Sequence, residues 1–163
     1  MVNLFQGKTQ TPMNERTLLN YFLDTATVVE LNEDLKGAQQ KTSYDATSVY
    51  INPLDTDNEF DVTKDHLIKL CDDVISGKLT TTDLNTIAFA IISSDFFTWD
   101  NEADDASIIE NVINDWDNPE IGYDITIKNV GHWKEYLQTG NYNLDKAELK
   151  AKFRNDGKKR NKP

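Results

Sequence analysis

The sequence predicts an all-α domain, a five- or six-helix bundle with room for one short strand pair. Three observations predict it. Apolar residues recur at i, i+3 and i+4 in five separate stretches. Most of these stretches carry a Ser, Thr, Asn or Asp start signal, or end at Gly or Asn-Pro. The 163 residues suffice for one core, and their 38% hydrophobic content with a mean hydropathy of -0.61 is polar, yet too rich in Leu, Ile, Val and aromatics for a disordered chain.

Residues 1–13 read as a flexible arm. Leu4-Phe5-Gln6-Gly7 also resembles part of a protease-cleavage tag, which would make residues 1–12 a remnant and Met13 the original start. The first helix is expected over residues 14–35, with Asn14 as its N-cap, Leu18, Leu19, Phe22, Leu23 and Ala26 as its apolar stripe and Gly37 as its stop. Residues 37–48 are polar and loop-like, Val49-Tyr50-Ile51 fits a short extended segment before Pro53, and residues 52–62 form an acidic loop. Thr63 opens a second helix to about residue 76, carrying Leu67, Ile68, Leu70, Cys71, Val74 and Ile75. The third starts near Thr82; its broad apolar face, with Leu84, Ile87, Ala88, Ile91 and Ile92, marks it as the central core helix. The fourth covers residues 105–116 on Ile108, Ile109, Val112 and Ile113, and Asn118-Pro119 closes it. A fifth follows Thr126 with Ile127, Val130, Trp133 and Leu137 and stops at Gly140; a weaker sixth spans residues 143–153. Residues 14–153 thus read as a single helical domain, and residues 154–163 as a basic, disordered tail.

The net charge of -11 is unevenly placed. Between Leu79 and Ile127 there is no Lys, Arg or His, against eleven acids: Asp83, Asp95, Asp100, Glu102, Asp104, Asp105, Glu110, Asp115, Asp117, Glu120 and Asp124. The rest carries seventeen acids and seventeen bases and is neutral. Such a cluster repels itself. Asp104 and Asp105 recover part of that cost at a helix N-terminus, whereas Asp115 and Asp117 sit at the unfavourable end of the same helix with no local reason to be there. Phe96, Phe97, Trp99, Trp116 and Tyr123 are interleaved with these acids, and Phe96-Phe97-x-Trp99 does not easily bury three rings. Aromatic anchors ringed by carboxylates describe an interface for a basic protein. The partner-binding candidates are Asp95, Trp99, Asp100, Glu102, Asp104, Asp105, Glu110, Asp115, Trp116, Asp117, Glu120 and Tyr123. A solubilising acidic face with all the aromatics in the core is the plainer alternative. At the other extreme, Lys146, Lys150, Lys152, Arg154, Lys158, Lys159, Arg160 and Lys162 make the C-terminus basic, read as a solvated tail that is able to fold back on the acidic patch.

Catalytic constellations are missing. His66 and His132 are far apart, there is no H-E-x-x-H, G-x-S-x-G, Walker A loop or G-x-G-x-x-G, and the seven glycines are scattered. The alternating acids at Asp55, Asp57, Glu59 and Asp61 fail as an EF-hand, because Phe60 holds the glycine position and His66 the final one. The run Asp100, Glu102, Asp104 fails likewise, with Asp105 and Asn111 in those places. The expectation is a non-enzyme without metal or cofactor, with no small-molecule substrate, no membrane contact and no direct nucleic-acid binding. The single cysteine, Cys71, reads as a buried, inert thiol; with no signal-peptide pattern and no apolar run long enough to span a bilayer, the features point to the cytoplasm.

Three segments carry a resemblance. From Asp95 the chain reads D-F-F-T-W-D-N-E-A-D-D, from Ile108 I-I-E-N-V-I-N-D-W, and from Asn129 N-V-G-H-W-K-E-Y-L. In character these resemble the small acidic helical proteins with which bacteria neutralise basic nuclease toxins, the colicin-type immunity proteins, although this chain is longer than such proteins usually are. The resemblance implies one-to-one binding of a cationic toxin domain, with Trp99, Trp116 and Tyr123 as anchors and the neighbouring acids meeting Lys and Arg. Two other readings stand beside it. A DNA mimic would need acids over a long surface, since B-DNA carries a charge every ~1.7 Å of its axis. An acidic docking or regulatory subunit would use the same patch.

Overall fold

The computed structural model describes residues 11–43, 46–100 and 102–150. Where the sequence suggests one domain, the chain divides into two compact units, Met1–Asn58 and Glu59–Pro163. Helices dominate, but small strand pairs in both units make the fold not purely all-α.

In the first unit, β1 (Met13–Asn14) runs parallel to β4 (Ile51–Asn52), with Met13 opposite Ile51. Met13 is therefore fully buried rather than the end of a loose arm, while residues 1–10 lie outside the described residues. The expected long first helix is two helices, α1 (Glu15–Phe22) and α2 (Val28–Leu35). Its apolar stripe breaks because Asp24 takes a left-handed backbone (φ 59°) and Leu23 turns outward. Thr27 then starts a fresh helix with a capping box: its Oγ1 accepts from Glu30 N–H (3.2 Å), and Glu30 Oε2 accepts from Thr27 N–H (2.6 Å). Asn14 sits at the N-cap position but makes no capping bond; its side-chain amide donates to Asp34 (2.9 Å) and its Oδ1 accepts from Asn52 (2.8 Å). Glu15 is buried and accepts from the Leu54 N–H (3.1 Å). The stretch expected as loop contains an antiparallel hairpin of β2 (Gln39–Ser43) and β3 (Ala46–Val49), in which Gln39 faces Val49.

In the second unit, β5 (Phe60–Asp61) runs parallel to β6 (Phe97–Thr98). The helices α3 (Lys64–Ile75), α4 (Thr81–Ser93), α5 (Ala106–Asp117) and α6 (Ile127–Thr139) lie where the periodicity predicts them. Thr63, Thr80 and Thr126 cap α3, α4 and α6 through their hydroxyls. α3 packs on α6 and α4 on α5, around Leu67, Leu70, Cys71, Leu84, Ile87, Ile91, Val112, Ile113, Trp116 and Trp133. Gly140 ends α6 in the left-handed region (φ 79°), a conformation that suits glycine. In place of a sixth long helix there is one 3₁₀ turn, Lys146–Glu148, in a segment that returns to donate from Lys150 N–H to the Gly122 carbonyl (3.2 Å). Residues 151–163, with most of the basic tail, lie outside the described residues.

Candidate protein-binding face

The acidic stretch is built around the two ends of α5. Ser94 ends α4, and its Oγ accepts from the N–H groups of both Phe96 (2.9 Å) and Phe97 (3.0 Å). That tight turn delivers the next two rings inward, so Phe96 and Phe97 are both buried, and of the three neighbouring aromatics only Trp99 is not. They cluster with Phe60, stacked at 6.3 Å and edge-on at 6.1 Å. Pairing of β6 with β5 continues through Val62 N–H to the Thr98 carbonyl (2.7 Å). Trp99 follows at the margin, half-buried.

Ile91, Ile92, Ser94, Phe97, Thr98 and Trp99 line a surface recess of about 220 Å³. Ile92 is 37% exposed, as is Phe89 one turn earlier on the same face of α4. The Trp99 Nε1 is buried and has no hydrogen-bond partner among the described residues. Asp95 and Asp100, both exposed, follow the lining residues Ser94 and Trp99 directly. The Asp100 N–H donates to Asp61 (3.0 Å), and its carboxylate accepts from the Glu102 N–H (2.9 Å), which orders the acidic loop. Glu102 and Asp104 are exposed, and Asp105, at the N-cap of α5 without a capping bond, pairs with Lys64 (3.0 Å).

The other candidates separate from this group. α5 has twelve residues, so its ends stand roughly 18 Å apart at the α-helical rise. Glu110 is exposed midway. At the far end, Asp115 has a clear structural role: its Oδ2 accepts from Trp133 Nε1–H (2.9 Å) and from the Tyr142 hydroxyl (2.6 Å). Asp115 is thus corrected from a carboxylate without local reason to one that closes two aromatic donors. Burial, followed by the Asp115 hydrogen bond, raises the Tyr142 phenol above its ordinary range. Trp116 is 0% exposed and crosses Trp133 edge to face at 6.4 Å, so it belongs to the core and not to an exposed anchor set. The reason is the α5 stripe of Ile109, Val112, Ile113 and Trp116, whose last position faces α6. Tyr123 is buried too, against Tyr142, and burial raises its phenol ahead of the Asp115, Asp145 and Glu148 charges. Burial raises the Asp117 carboxyl, and Glu120 adds to it. Asp124 pairs with Lys150, and Asp83 completes the α4 capping box.

Of the eleven acids, Asp83, Asp100, Asp105, Asp115 and Asp124 are engaged inside the fold. The carboxylates of Asp95, Glu102, Asp104, Glu110 and Glu120 take no hydrogen bond or ion pair among the described residues and are exposed. Sequence reasoning missed Phe89 and placed Ile92 in the core. The available signal was the near-complete apolar circumference of α4, more than its neighbours can cover.

Among the described residues, no group of three or more His, Cys, Asp or Glu side chains is placed to hold a metal ion, and no helix is long and apolar enough to cross a membrane. A polar hollow in the first unit, lined by Asn14, Arg16, Thr17, Asn20, Asn52 and Asp55 among others, contains no thiol and no imidazole. Burial, and then the Asp72 charge, pushes the Cys71 thiol up to about 12, so it is no nucleophile. No family model, curated protein or solved structure matches the chain.

Proposed function

We propose that the chain is a protein-binding inhibitor of the immunity type, which neutralises a basic, toxin-like protein through the face formed by the end of α4, β6 and the loop leading to α5. One observation carries the reading: a recess walled by Ile91, Ile92, Phe97 and Trp99 has the exposed Asp95 and Asp100 directly next to its lining residues in the chain, and the Asp95 carboxylate has no partner among the described residues. Self-repelling carboxylates beside uncovered apolar surface cost stability in the free chain, and a cationic partner offsets both terms. A DNA mimic has less support, because five of the eleven acids are engaged internally.

The test starts with affinity capture from the native host's lysate at moderate salt. It is completed with the purified captured protein. A single stoichiometric basic protein is expected. Trp99→Ala should weaken its binding by ~2 kcal/mol or more, and Asp95→Asn with Glu102→Gln and Asp104→Asn should slow association and flatten its salt dependence. Unchanged affinity in both variants would remove this face from the function. Capture of several unrelated DNA-binding proteins would favour the mimic.

A further inference from the structure

We infer that the recess at the end of α4 receives an apolar side chain of the partner, carried in a segment where Lys or Arg flanks one large aliphatic or aromatic residue. This rests on the acidic-face reading and specifies its chemistry: Trp99 is a wall of a socket, not a knob that enters the partner. The recess, about 220 Å³, has room for one such side chain, and its walls are mainly apolar. Ile92 and Phe89 extend that surface outward along α4, each 37% exposed. The neighbouring charge selects the flanks, since the exposed Asp95 and Asp100 directly follow the lining residues Ser94 and Trp99 in the chain. No base lies between Leu79 and Ile127 in sequence. A second copy of this chain is the wrong occupant, because it would bring the same carboxylates face to face.

Two blocked pentapeptides test this, Lys-Arg-Leu-Arg-Lys and its Lys-Arg-Gly-Arg-Lys control, titrated into the ¹⁵N-labelled full chain by two-dimensional NMR. The leucine peptide should bind about tenfold more tightly than the glycine peptide, the effect of one largely buried aliphatic side chain. It should also move the Trp99 indole N–H resonance. Ile92→Gln should bring the leucine peptide down to the affinity of the control and leave the control unchanged. Phe89→Ser, read from the same spectra for folding, should give a smaller loss in the same direction. If both peptides bind alike, the socket is wrong and the acidic face stands. If neither binds at millimolar concentration and low salt, the acidic-face reading falls as well.

Discussion

Asp115 shows how one side chain separates a structural role from a binding one. It accepts from an indole 18 positions away and from a phenol 27 positions away. Asp115→Ala leaves the Trp133 Nε1–H without its acceptor, so the variant should lose about 1–3 kcal/mol in urea unfolding. The pH dependence has a defined sign. The Tyr142 phenol is raised in the fold, which favours the neutral form there. Its stabilising contribution is fully present below the unfolded tyrosine value of about 10 and is lost as pH climbs above it. Absorbance titration should find Tyr142 ionising at lower pH in Asp115→Ala than in the parent. The sequence showed that Asp115 opposes the helix dipole but not which donors would reach it, because both partners come from distant positions. Trp116 misled for a related reason: adjacent acids suggested exposure, while the α5 stripe that ends on Trp116 had already assigned it to the core. Trp99, expected as an exposed anchor, lies outside any stripe and is half-buried.

At the scale of elements, hydroxyl caps decide where helices begin. α3, α4 and α6 were legible because each starts at Thr and carries four or more apolar residues at helical spacing. The α1–α2 break was legible in principle, in Thr27-x-x-Glu30, but the continuous stripe through Ala26 hid it. Thr27→Ala removes the hydroxyl half of that box and should cost ~1 kcal/mol, with lower helicity by circular dichroism. Unchanged helicity and stability would mean that packing of Leu31 and Leu35 alone holds α2. The β2–β3 hairpin had no comparable signal, since Gln39 to Val49 lacks the apolar alternation that marks a strand. The sixth helix failed differently. Its segment is tied down by distant partners, Lys128 to Glu148 and Lys150 to Asp124, rather than by its own periodicity.

For the molecule as a whole, the net charge of -11 outweighs the ion pairs that oppose it. Lys36–Glu33, Lys64–Asp105, Lys128–Glu148, Lys134–Asp72 and Lys150–Asp124 are all partly exposed, and such pairs contribute little each. Salt screens the surplus repulsion over a Debye length of ~10 Å at about 0.1 M. The melting temperature should therefore rise as sodium chloride is raised from about 10 to about 150 mM. A fall would show that the pairs, not the repulsion, govern stability. The charge imbalance was fully legible in the sequence. How many of its acids the fold consumes was not, because that depends on which donors the turns and helix ends bring to them.

The three tryptophans carry one further consequence. Trp116 and Trp133 are sealed from solvent and cross at 86°, while Trp99 alone is partly open. Their ultraviolet emission should accordingly divide into a shielded pair and a single, partly accessible fluorophore next to the exposed Asp100. Caesium should quench that fluorophore more strongly than iodide, given the net charge of -11. The candidate face thus carries its own optical reporter, which needs no attached dye.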